Sequence, residues 1–304
     1  MRAFLPFVLC LAACASTTSK ESDTGTGLPD ETRLKVVNHA NTDAIGLYLT
    51  QLDLQIRAWT NLSLTAADHG DRNKKERLEQ HLVNETQLRE QDLITQLEVG
   101  PPKNRKISAV ALGFTGSPKA LSPLLGALDD TDQEVVSNAL LGLALLGDDQ
   151  TPLEGVLVAM RRSEDDKTRG NAAWAVYEIV KAGGGNEGVL PAARAALVDP
   201  SEIVRTQATR ILAHELDSDA VDSIAMLLDD DVPLVASASA RALAYIAGHD
   251  PHAKGPCARA LAASLDRVEE DAVRENILVL LQRISKANYG KDSEDWLTWA
   301  HRLP

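Results

Sequence analysis

Apolar residues return along most of this chain at intervals of three and four, the spacing of one face of a helix, and strict alternation of the strand type is missing. Between about residues 31 and 98 the pattern predicts two long helices. Leu34, Val37, Ala44, Leu47, Leu54 and Ala58 line the first. Asp68-His69-Gly70-Asp71 makes a turn, Leu78, Leu82, Leu88 and Leu97 line the second, and Gly100-Pro101-Pro102 ends it. Two such helices around a short turn make an αα-hairpin over residues 31–100, either a cap on the helices beyond it or a dimerisation arm.

From residue 103 to 286 the pattern repeats: a helix, a short acidic turn, a second helix, and a Gly- or Asp-rich loop. The second helices read VVSNALLGLALLG from Val135, TRGNAAWAVYEIV from Thr168, VRTQATRILAHEL from Val204, VASASARALAYIA from Val235 and VRENILVLLQRIS from Val273. Counted from their second residues (Val136, Arg169, Arg205, Ala236, Arg274), the units lie 33, 36, 31 and 38 residues apart. A repeat of this period signals a solenoid in which each unit buries its apolar face against the next. Positions three, six, seven and ten of each second helix are mostly small or apolar, for example Ala172, Ala175, Val176 and Ile179, and share one helical face. Glu215 at position ten of the third unit breaks the rule, with Leu216 beside it. A weaker half-unit, residues 106–116, precedes the first full one.

These runs resemble the HEAT family, and most closely its short repeats of the phycobilisome-lyase-like branch. The resemblance implies an all-α solenoid of helical repeats whose second helices line a concave surface. It implies little about function, because the repeat is a structural solution.

On that surface, position five holds Leu141, Trp174, Arg210, Arg241 and Val279, and position eight holds Ala144, Tyr177, Ala213, Ala244 and Gln282. Trp174, Tyr177, Arg210 and Arg241 are therefore candidate partner-binding residues, suited to an acidic or C-terminal peptide, since Trp and Arg dominate interface energies. The competing reading has Trp174 filling a gap between repeats and the arginines pairing with turn acids. At the end, residues 287–304 carry Trp296 and Trp299 on one side of a short helix capped by Asp292 or Ser293. This motif reads as a cover over the last repeat's core, or else as a ligand site.

The first thirteen residues, MRAFLPFVLCLAA, combine Arg2, a short apolar run and small residues. The run is too short to span a bilayer and has the layout of a secretory signal. Leu11-Ala12-Ala13-Cys14 resembles a bacterial lipobox. The resemblance implies cleavage between Ala13 and Cys14 and diacylglycerol on Cys14. Residues 14–30 then form a polar tether that spans roughly 20–25 Å. Ala15, where the enteric sorting rule reads Asp as inner-membrane retention, points to an outer-membrane protein facing the periplasm.

Composition narrows the chemistry. Net charge is −13, and no basic run is longer than Lys74-Lys75, so nucleic acid is excluded as a partner class. Hydrophobic residues make up 44% of the chain but aromatics only 4%, which leaves Ala and Leu to fill helix-on-helix contacts. Of the three cysteines, only Cys257 lies in the folded body, where it reads as a small apolar residue. The turn acids Asp129-Asp130, Asp165-Asp166 and Asp229-Asp230-Asp231 lack the EF-hand pattern and read as caps of the second helices. The HEAT-like deoxyhypusine hydroxylases bind iron through several His-Glu dyads, whereas this chain has one, His214-Glu215. HExxH, GxSxG and GxxxxGK motifs are missing too. The expectation is a non-catalytic scaffold without cofactor or metal, anchored to the membrane by lipid and binding a protein or peptide.

Overall fold

The computed structural model describes residues 45–65 and 69–304, which hold fifteen α-helices, several short 3-10 turns and no strand. The signal segment, Ala13, Cys14, the tether and the first part of the expected hairpin lie outside the described residues. No described helix is long and apolar enough to cross a membrane. The described residues divide into two compact units, one running up to Leu82 and one from Val83 onward.

In the first unit, α1 (Ile45–Thr65) and the first part of α2 (His69–Leu88) run antiparallel. Trp59 Nε1 donates to Glu79 Oε2 at 3.1 Å, and Gln55 Nε2 lies 3.1 Å from His81 Nε2. The buried stripe of α1 is Tyr48, Leu49, Leu52, Ile56 and Trp59, whereas Leu47 and Leu54 are more than half exposed. The sequence pattern therefore assigned the wrong stripe. Two overlapping three-and-four series run through this apolar helix, and only burial separates them.

The expected second helix of the hairpin is in fact two. It breaks at Arg89 (φ −122°, ψ 27°), and α3 (Glu90–Val99) comes next, with Leu93, Ile94 and Leu97 buried. Leu88, expected to face inward, is exposed, and Thr86 is buried in its place. No Gly or Pro marks this break, which is why the sequence does not show it.

The second unit stacks helix pairs. After α4 (Pro102–Gly113), the second helices α6 (Gln133–Leu146), α8 (Asp166–Ala182), α10 (Glu202–His214), α12 (Pro233–His249) and α14 (Asp271–Ser285) pack each against the next. The first helices α5 (Leu121–Gly126), α7 (Glu154–Arg162), α9 (Val189–Ala196), α11 (Val221–Met226) and α13 (Lys254–Ser264) form the other layer. The core lies between the layers, as the repeat pattern requires. Position three (Ala139, Ala172, Ala208, Ser239, Ile277) and position seven (Leu143, Val176, Leu212, Leu243, Leu281) are fully buried in all five units. The small residues set how closely layers approach. A Cβ added at Gly142 would collide with the Ala109 carbonyl oxygen of α4.

Ends of helices follow local chemistry. Asp132 and Asp165 accept from the backbone N–H groups of Glu134 and Thr168 at the starts of α6 and α8. Gly147 and Gly183 take the left-handed conformation that closes these helices. Helix α10 stops at His214, so Glu215 leaves the helix and is exposed; Leu216 (φ 53°) turns the chain. Asp217, buried beyond that turn, is clamped by Arg194 through Nε at 2.6 Å and Nη2 at 2.5 Å.

Other turn acids act across layers, which corrects their reading as caps. Arg105 clamps Asp130 at 2.7 and 2.9 Å, Arg169 clamps Asp199 at 2.9 and 3.0 Å, and Arg205 clamps Asp230 at 2.8 and 2.9 Å. Each aspartate also accepts from the backbone N–H two residues on, which fixes its own turn. Each arginine donates further to carbonyls of its own preceding loop. Every clip thus ties the start of one second helix to the turn of the next repeat. Val136 and Ala236 occupy the same position in two units, and no clip forms there.

Hydrogen bonds from Arg105 hold the Asp130 carboxyl below the usual carboxylate range against the opposing effect of burial, and Lys106 does the same for Asp132. A depressed folded-state pKa means that the unfolded chain takes up protons first. The stabilisation is therefore complete above the ordinary value of 3.8 and fades as pH falls through it toward the lower folded values. Thermal melts should show the parent losing stability between pH 5 and pH 3 more steeply than the Arg105→Gln variant; parallel pH profiles would remove the clip from the acid response.

Helix α15 (Ser293–Ala300) closes the far end. Asp292 caps it, Trp296 is fully buried with Nε1 donating to the Gly290 carbonyl at 3.1 Å, and Tyr289 packs edge-on to Trp296 and stacks on Trp299. The Trp-x-x-Trp helix packs on α13. Cys257 on α13 is fully buried, and desolvation pushes its thiol up to about 12, so it stays a neutral apolar filler.

Candidate functional site

The candidate residues sit on the second helices α8, α10 and α12, on the side away from the first-helix layer. Packing uses positions three, six and seven, so position five and its i+4 neighbour at position nine point elsewhere. Each helix presents such a pair: Trp174 with Glu178 on α8, Arg210 with His214 on α10, and Arg241 with Tyr245 on α12.

The structure brings three of the four predicted residues together. The Arg210 guanidinium carbon lies 3.8 Å from the centre of the Tyr177 ring, a cation–π contact that spans two layers. Arg210 Nη1 also donates to Gln207 Oε1 at 2.8 Å, which fixes the plane of the group. Lys181 Nζ approaches the Tyr177 ring at 5.7 Å, and the His214 ring meets it edge-on at 6.4 Å.

Arg241, one layer further on, has an exposed side chain. Its pKa is held below the ordinary guanidinium value, first by desolvation among its neighbours and then by repulsion from Arg210. Two cations thus stand on adjacent helices near enough to repel. Among the described residues, no carboxylate comes within ion-pair distance of Arg241.

Trp174 departs from the expected open ridge. It is only 6% exposed, and its Nε1 donates to Glu178 Oε1 at 3.1 Å; Glu178 in turn pairs with Lys181 at 2.8 Å. Leu141, one layer earlier, is buried as well. At the first two layers position five belongs to the packing, and it opens only from α10 onward, ending in Val279 at 59% exposure. Arg241 forms no ion pair among the described residues, and the clips on Asp130, Asp199 and Asp230 use Arg105, Arg169 and Arg205.

Sequence reasoning missed Tyr245 and His249. They stack at 4.1 Å, Tyr245 is 44% exposed, and both continue the stripe of Arg241 at i+4 and i+8. That spacing was the available signal. On α12 position eight (Ala244) and position one (Ser237) are small and part-exposed, whereas Ala213 at position eight of α10 is buried.

The His214-Glu215 dyad is local, at 3.3 Å, and the described residues contain no group of three His, Cys, Asp or Glu side chains placed to hold a metal. Two surface recesses lie elsewhere. One, lined by Val136, Val158, Gly155 and Arg162, sits at the unclipped junction of α6 and α8; the other is lined by Asp165, Asp166, Arg169 and Ser201.

A family model described as HEAT repeats matches residues 90–176 and 153–244, together just over half of the chain. No curated protein matches the sequence. Among solved structures, a designed armadillo repeat protein in complex with the peptide (KR)4 is similar at 21% identity and a TM-score of 0.50. That match covers 64% of this chain and 98% of that one. The complex of CpcE and CpcF of phycocyanin lyase from Nostoc sp. PCC7120 is similar at 17% identity and a TM-score of 0.41, covering 94% and 98% of the two chains. The likeness to the designed armadillo protein describes a fold: an all-α stack of helical repeats.

Proposed function

Since the chain belongs to the HEAT-repeat family, we propose that it is a non-catalytic scaffold holding a protein or peptide partner along the outer face of α8, α10, α12 and α14. We propose further that Cys14 carries the lipid that anchors it in the bacterial cell envelope, facing the periplasm from the outer membrane. The observation that carries the scaffold reading is the cross-layer cluster of Tyr177, Arg210 and Arg241, where a half-buried aromatic ring and guanidinium group lie beside the exposed Arg241, which has no ion-paired carboxylate among the described residues. Such groups form the energetic centre of many interfaces. The designed armadillo protein was solved with a peptide on a stack of related build; this stack is proposed to take a comparable occupant. The anchor reading rests on the Leu11-Ala12-Ala13-Cys14 run and the polar segment after it. Two or three acyl chains hold a protein to a membrane where one does not.

In-cell photo-cross-linking from benzophenone side chains placed at Ala244 or Val279 should trap a polypeptide, and the same probe at exposed Val198 beside α9 should not. Trapping that is equal at all three positions would set the scaffold surface aside. For the anchor, Cys14→Ser should move the protein out of carbonate-washed membranes; a variant that stays there refutes the lipid.

A further inference from the structure

We infer that the surface formed by Tyr177, Arg210, Arg241 and Tyr245 binds an extended acidic peptide whose carboxylates engage Arg210 and Arg241 on successive layers. This rests on the scaffold reading and adds the chemistry of the partner. Charge points to it first. The chain as a whole carries −13, yet Arg210 and Arg241 stand at position five of adjacent helices, and among the described residues no carboxylate forms an ion pair with Arg241. Their mutual repulsion is relieved by an anion placed between or across them.

Geometry points the same way. Packed helices lie about 8–10 Å apart, and an extended chain advances about 3.4 Å per residue. Acidic residues two or three apart therefore match one layer. The small, part-exposed side chains of Ser237 and Ala244 leave space for the backbone on α12. The type of contact fits as well. The Arg210 guanidinium carbon sits 3.8 Å from the centre of the Tyr177 ring and its Nη1 is held by Gln207, so the group is oriented before a carboxylate arrives. Tyr245, 44% exposed and stacked on His249, adds an apolar face for the peptide's intervening side chains.

Fluorescence anisotropy with the full-length chain in detergent micelles tests this, using labelled peptides of alternating glycine with glutamate, lysine or glutamine. The glutamate peptide should bind at least tenfold more tightly than the other two. Arg210→Gln with Arg241→Gln should remove that preference and leave the melting temperature unchanged, while Arg210→Lys with Arg241→Lys should fall between. The inference is overturned if the lysine peptide binds as well as the glutamate peptide, or if the Gln/Gln variant keeps the parent's affinity. Arginine-dependent binding to phosphatidylglycerol vesicles without any to the glutamate peptide overturns it as well. Cross-linking from Ala244 that persists unchanged in the Gln/Gln variant overturns the acidic-peptide inference while the scaffold reading stands; a parent that yields no cross-links removes the scaffold reading itself.

Discussion

Leu212→Ala is expected to lower stability by about 2–5 kcal/mol, the range for emptying a large apolar side chain from a packed core. Leu212 on α10 and its counterpart Leu243 on α12 are both fully buried at position seven. The neighbouring positions are filled by small residues such as Ala208, which have no longer rotamer with which to close the hole. Because each repeat is supported only by its neighbours, the loss should spread along the stack. Amide hydrogen exchange in α8 and α12 should speed up together with that in α10. Val279→Ala, at an exposed position of the same helix layer, should stay within about 0.5 kcal/mol of the parent. A Leu212→Ala melting curve that overlays the parent's would show that the packing register is wrong.

Arg205→Met should cost about 3 kcal/mol, near the lower end of the penalty for breaking a buried ion pair. The side chains of Arg205 and Asp230 are 15% and 8% exposed, so the partner left behind is an almost buried carboxylate with its two guanidinium donors removed. Asp230 keeps the Val232 N–H, which offsets little of that loss. The decisive comparison is the double variant Arg205→Met with Asp230→Asn. The asparagine oxygen still accepts from Val232 and carries no charge, so stability should recover in part. Chemical denaturation of the parent, the single and the double variant measures this directly. If the double variant is no more stable than the single one, the penalty comes from lost packing and not from the stranded charge.

The core was readable from the chain because repetition makes a weak signal strong. One helix with small residues at positions three and six is ambiguous, but five in register leave a single face to bury, and all the residues at positions three and seven are buried. Where the pattern occurs once, it misleads. Helix α1 is apolar on two overlapping stripes, so Leu47 and Leu54 look as inward as Leu49 and Leu52, and the bend at Arg89 has no Gly or Pro to announce it. The candidate surface was half legible. Arg210, Arg241 and Tyr177 follow from helical register, since register fixes direction. The burial of Trp174 does not follow, because it depends on the side chains of adjacent layers at a position where one unit has Leu141 and another Arg210. The clips were hidden for the same reason. An aspartate six residues before position zero looks like a cap until the previous layer's arginine is placed beside it.

The uneven spacing of those clips divides the stack mechanically. Helices α8, α10 and α12 are joined by two in succession, Arg169 to Asp199 and Arg205 to Asp230. At Val136 and Ala236 the neighbouring junctions lack one, and between α6 and α8 the cross-layer polar bonds are those of the Asn171 amide to Ser137. Because Arg267 pairs with Asp229 across the repeats of α12 and α14, bending should concentrate at the junction of α6 and α8 and leave α8, α10 and α12 a stiff block. Tyr177, Arg210, Arg241 and Tyr245 all stand on that block. A ligand that docks there meets groups whose separation is already set, and loses little affinity to ordering its receptor. Helices α4 and α6 can still swing to follow the rest of a long partner.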